Sequence, residues 1–176
     1  MLERTVPLEI DKAYADLKKA LLAKDSKLIS EEVPNQIVVK QGSLWGISPA
    51  SAKKTVKTNL TKIDSATKVT CTTQLSSDWK NITIIGCVFA AVLVAICLWI
   101  TFDLNTFMVT HSVSFWSWLI TTNGAADFQI GTAFIGLTKA LALFLSVIIV
   151  VEIAIFVYVK AKIDSFAQDV LNCFVG

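Results

Sequence analysis

Residues 82–102 read ITIIGCVFAAVLVAICLWITF, 21 consecutive positions without a charged side chain. At about 1.5 Å of helical rise per residue, this stretch covers the roughly 30 Å hydrocarbon core of a bilayer. Trp79 and Lys80 stand at one end of it, and Trp99, Phe102 and Asp103 at the other. A second apolar stretch runs over residues 135–159, includes ALALFLSVIIVVEIAIFVYV, and stops at Lys160 and Lys162. Phe156 and Tyr158 then share an interface with Trp79, and Phe134 shares the opposite one with Trp99 and Phe102. Aromatic belts at both levels are the mark of membrane-spanning helices. The pattern predicts a two-helix transmembrane hairpin, with helix one in 79–102 and helix two in 135–159.

The rest of the chain agrees with that division. Of 176 residues, 54% are hydrophobic and 17% charged, with a mean hydropathy of +0.62. Residues 1–80 hold 13 of the 16 basic side chains and 9 of the 14 acidic ones. Between residues 81 and 159 the only charges are Asp103, Asp127, Lys139 and Glu152. A polar half followed by a membrane half excludes an ordinary soluble enzyme. The lysines of the first half are interleaved with acids, so no nucleic-acid partner is indicated. The expected surroundings are the lipid bilayer.

The lysines also set the expected orientation. The N-terminal half and the tail after Tyr158 are basic, whereas the connection between the spans has two acids and no Lys or Arg. The positive-inside rule places both termini in the cytoplasm of a cell membrane and the connection outside. No N-terminal signal peptide is expected, since the first ten residues are charged. Cys71, Cys87, Cys97 and Cys173 all fall outside the connection, so no disulfide framework is expected. With no CxxC, a single histidine (His111) and no glycine-rich phosphate loop, no metal, no cofactor and no catalytic constellation is expected. The connection, 103–134, is apolar and aromatic through residue 121. It is expected to hold an interfacial or re-entrant helix with Trp116 and Trp118 at headgroup level, or to pack on a partner subunit. Asn123-Gly124 would end it as a turn.

The first 78 residues predict a cytoplasmic α+β domain in the order β-α-β-β-β-β, one helix on a small antiparallel sheet. Ile10, Ala13, Tyr14, Leu17 and Leu21 recur at helical spacing within 8–23. Residues 28–32 and 36–40 form a hairpin through Pro34-Asn35, and 54–63 and 67–75 another around Asp64-Ser65. Between the hairpins, 43–49 reads as an irregular connection bearing Trp45. In the last strand Val69, Cys71, Thr73 and Leu75 alternate with Lys68, Thr70, Thr72 and Gln74. One sheet face is therefore threonine-rich and left for solvent, a partner or a cover. The tail, 160–176, is an amphipathic helix whose docking stripe is Ile163, Phe166, Val170, Leu171 and Phe174. It lies in the membrane interface, docks on the sheet, or binds another protein. The segments TVPLEIDKAYADLKKALLAKDSKLISEE and QIVVKQGSLWG resemble small strand–helix–meander domains akin to helix-grip ligand binders. A ligand-binding role would require a pocket between helix and sheet, lined by Tyr14, Leu17, Val39 and Val69.

Within the membrane half, Glu152 is the one ionisable group well inside a span, about 12 Å from the end at Lys160. A carboxylate there is costly and usually faces a partner, a cavity or an ion path. Gly86 with Ala90, and Gly136 with Ala140, have the small-xxx-small spacing that lets helices approach closely, as do Ala91 with Ala95 and Ala142 with Ser146. Together these features lead to an expected role as a non-enzymatic accessory subunit of a larger membrane complex, hetero-oligomeric or self-associated. A membrane-apposed sensor or binder of a lipid or hydrophobic ligand is the alternative. An oligomeric channel or transporter using Glu152 is the third reading.

Overall fold

A computed structural model describes the backbone of residues 1–122 and 125–175, and their side chains except at 122 and 173–175. Asn123, Gly124 and the Phe174 side chain, all named above, lie outside the described residues. The chain divides into two compact units, Met1–Thr83 with Ala154–Gly176, and Ile84–Ile153.

The first unit is built on a five-stranded antiparallel sheet. Its strands are β1 (Leu2–Val6), β2 (Lys27–Glu32), β3 (Gln36–Gln41), β4 (Lys54–Ile63) and β5 (Ala66–Leu75), in spatial order β1-β5-β4-β3-β2. Helix α1 (Ile10–Leu22) joins β1 at one edge to β2 at the other, so it must cross a sheet face. Cross-strand partners show which face. Leu2 and Thr58 are both in register with Cys71, Ile37 with Thr58, and Leu60 with Val69. Their apolar members, with Val39 and Val56, are the core half of the alternation, and Ala13, Tyr14, Leu17 and Leu21 of α1 pack on them.

Helix α4 (Ser165–Val175) lies on that same face, where Phe166, Ala167, Val170 and Leu171 complete the core beside α1, β1 and β5. This corrects the expectation of one helix on the sheet: there are two, side by side. The threonine-rich face, with Thr55, Lys57, Asn59, Thr70 and Thr72, stays half-buried or exposed. The reason is width. Five strands about 4.8 Å apart span close to 20 Å, whereas one helix with its side chains covers about 10 Å. Arg4 pins the second helix, donating to the Leu171 carbonyl at 3.3 Å and to Asn172 Oδ1 at 2.9 Å. The N-terminal amine pairs with Asp164 at 3.3 Å.

The second unit holds most of two long apolar helices, α2 (Ser77–Thr110) and α3 (Phe128–Ala161), each long and apolar enough to cross a membrane. Helix α2 continues past the expected end of the span at residue 102. Leu104, Phe107 and Met108 recur at helical spacing and pack with Ile120, Phe134 and Ile135. The expected interfacial helix is absent among the described residues. In its place, α2 ends at His111 in the left-handed region (φ 54), and a 3-10 turn (Ser117–Ile120) leads into a ribbon of β6 (Thr121–Thr122) and β7 (Ala125–Ala126). Asp103 folds this connection back, accepting from the Ser114 hydroxyl and, at 3.0 Å, from the Trp116 amide.

Candidate functional site

The seam between α2 and α3 is built largely from small and polar side chains. On α2 the inward positions are Cys87, Ala90, Val94, Cys97, Thr101 and Leu104; on α3 they are Ile135, Thr138, Ala142, Leu145, Ile149 and Glu152. Both sets step by three and four residues, the heptad period of left-handed helix pairs. The Thr101 and Thr138 hydroxyls meet at 2.8 Å, and Thr138 also donates to its own helix's carbonyls.

Glu152 is half-buried in this seam. The Cys87 thiol donates to its Oε2 at 3.0 Å, and a methyl on Gly86 would stand 3.5 Å from both carboxylate oxygens. Gly86 thus faces the carboxylate at ordinary contact distance, and Cys87 gives it a hydrogen bond. One of its two oxygens has a weak donor inside the hairpin, which would lower the cost of holding the group in hydrocarbon. The cysteine count alone does not place Cys87 or Cys97 here. Seven residues separate Cys87 from Val94 and Cys97 from Leu104, and that period is the signal that puts all four on one stripe.

The two small-residue pairs of the spans separate. Ala90 is buried and Gly86 half-buried, both turned toward α3. Gly136 and Ala140 are exposed, and a Cβ on Gly136 would meet nothing within 4 Å. Ala91 and Ala95 are exposed as well. The spacing rule gives all four pairs equal standing; only the phase of the heptad sorts them.

The docking stripe of the tail is consumed within its own unit. Phe166, Val170 and Leu171 are each 5% exposed or less, and Ile163 packs with Trp79, Phe156 and Val159. The positions named for a ligand space, Tyr14, Leu17, Val39 and Val69, belong to the same packed core, into which α4 delivers Phe166 and Val170. Tyr14 reaches its hydroxyl out to Glu31 Oε2 at 2.6 Å, which Lys18 Nζ also contacts at 2.7 Å. Lys18, with Tyr14, holds the Glu31 carboxyl below its usual range. Burial and then Glu31 push the Tyr14 hydroxyl up to about 12. This is a surface clamp between α1 and β2.

Lys54 is a buried residue that periodicity does not reveal, because a lysine at an inward position looks like any other polar residue of a strand. Its Nζ donates to the carbonyls of Pro49 at 2.5 Å and Ala50 at 2.9 Å, and stands 4.8 Å from the centre of the Phe166 ring. Burial lowers its pKa to about 8. Compared with models of protein families and with curated proteins, the chain matches none.

Proposed function

We propose that this chain is a non-catalytic, two-span integral membrane protein that serves as an accessory subunit of a larger membrane complex. Both termini are cytoplasmic in this reading. The N-terminal amine and Asp164 of the tail lie 3.3 Å apart, which agrees with termini on one side.

The observation that carries the proposal is the outward Gly136–Ala140 face of α3. The hairpin fills its own seam with Gly86, Ala90, Thr101 and Ala142, and leaves this second close-approach surface unused. In lipid, apolar side chains gain little by leaving the tails for one another. Helices associate where small residues let backbones approach. A partner helix laid along Gly136 and Ala140 would use that geometry.

The ligand-binding alternative needs space between α1 and the sheet, where Tyr14, Leu17, Val39 and Val69 instead share one packed core with Phe166 and Val170. The conducting alternative needs Glu152 directed to a pathway, and it is bonded to Cys87. Neither has an observation in its favour comparable to the open face. The test is a photo-crosslinking amino acid at Ala140 in the full chain, in the membranes of the source cell. The expected product is a covalent adduct with another membrane-spanning protein, absent when the probe replaces the seam residue Ala142. Adducts to lipid alone at Ala140 overturn the proposal.

A further inference from the structure

The irregular connection between β3 and β4, residues 42–53, is a firmly built loop. Ser43 donates its amide to the Ser51 carbonyl at 2.8 Å and accepts from the Lys53 amide at 3.0 Å. The Ser48 and Ser51 hydroxyls meet at 2.7 Å. Gly42 holds a φ of +90, and a Cβ on Gly46 would collide with the Ser51 carbonyl. Neither position tolerates a side chain in this loop. From beneath, Lys54 gathers the Pro49 and Ala50 carbonyls.

This fixed loop presents Trp45 at 81% exposure and Ile47 at 68%. Residues 41–52, QGSLWGISPASA, contain no charged side chain. Its seat gives its depth. The Trp79 indole donates to the Gly46 carbonyl at 3.0 Å, and Trp79 stacks on Phe156 at 5.9 Å between centroids. Leu44, next to Trp45, joins the cluster of Trp79, Ile155, Phe156 and Val159. Ile155 precedes Lys160 by five residues, about 7.5 Å of helix inside the end of the apolar stretch. Leu44 thus packs on side chains near the end of the apolar stretch, and the exposed Trp45 and Ile47 follow it within three residues.

We infer that this loop is a third membrane contact: Trp45 and Ile47 insert into the interfacial layer of the phospholipid bilayer. Indole is the side chain most at home between headgroups and acyl chains, and an uncharged, pre-formed loop pays no ordering entropy to enter it. The inference rests on α2 and α3 crossing the membrane, and not on the accessory role. The loop would add a lipid contact beside the helix ends on which it is seated.

The test uses the full chain labelled with 5-fluorotryptophan in phosphatidylcholine nanodiscs. Five tryptophans give five fluorine resonances, and Trp45→Phe assigns one of them. The expected result is that a nitroxide near the top of the lipid chains removes most of the Trp45 signal, while an aqueous gadolinium chelate leaves it. Broadening by the chelate and not by the nitroxide overturns the inference. Protection from both reagents also overturns it, since a second copy of the chain then covers the loop. A chain that does not enter nanodiscs at all contradicts the spans themselves, a distinct failure.

Discussion

The core of the sheet unit and the seam of the hairpin are held by opposite means. Beneath α1 and α4 the buried side chains are large and apolar: Leu17, Leu21, Ile37, Val56 and Phe166. Between α2 and α3 small and polar side chains, the buried Ala90, Cys97, Thr138 and Ala142 with the half-buried Glu152, alternate with larger ones such as Leu104 and Ile135. In water, removing apolar area from solvent drives folding at about 25 cal/mol per Å², so bulk is useful. In lipid that term vanishes, and close backbone approach with hydrogen bonds remains. With α2 and α3 in a bilayer, the chain would change its packing rule where its solvent changes.

The contrast can be broken most severely in the first unit. Ending the chain after Lys162 removes α4 and opens half of the apolar sheet face. The expected outcome is loss of slow amide exchange across β1, β5 and α1, read by hydrogen–deuterium exchange on the full-length and shortened proteins in nanodiscs. Retained protection would mean that α4 is a passenger. Phe166→Ala should cost about 3–5 kcal/mol by the large-to-small rule. Denaturant-dependent exchange of the α1 amides measures it.

Lys54→Met sharpens the comparison, because it removes a charge buried against Phe166 of the apolar core. Three carbonyls, of Pro49, Ala50 and Ala52, lose their donor, at an expected net cost of about 2–4 kcal/mol. The pH dependence has a definite sign. The folded state holds the Lys54 proton less tightly, at about 8 against an ordinary 10.5, so the unfolded chain binds more protons between those values. Stability therefore rises as pH goes from about 8 to about 10.5, and Lys54 contributes no slope below that window. Wild type should show this rise relative to Lys54→Met; parallel profiles would contradict it.

The smallest effect belongs to the seam. Thr101→Val and Thr138→Val in a double-mutant cycle should reveal a coupling of about 0.6 kcal/mol, the usual scale for hydrogen bonds between membrane helices. Reversible unfolding in bicelles reads it. A coupling several times larger would mean that the seam is held as a soluble core is.

Much of this is legible in the residues alone. Alternation in 67–75 and helical spacing in 8–23 and 160–176 mark the elements, and the uncharged runs mark the spans. The surface that α4 covers is not legible from its stripe, since amphipathicity tells that a helix has an apolar face and not what it meets. The width of five strands against one helix holds that information. Asp103 misleads for a different reason. A lone acid after an apolar run reads as a boundary, yet here it anchors a returning loop while Leu104, Phe107 and Met108 carry the helix onward. The small-xxx-small pairs are visible but unsorted, because their orientation depends on a heptad phase set by both helices.

The central claim is that the open Gly136 face of α3 is occupied by another subunit. The direct measurement is the mass and composition of the particle extracted from source membranes in mild detergent, for wild type and for Gly136→Leu. The account predicts a stoichiometric assembly with other membrane proteins for wild type, and its loss for Gly136→Leu while the hairpin itself stays folded. A lone monomer from wild-type membranes, or an assembly indifferent to Gly136→Leu, would contradict it.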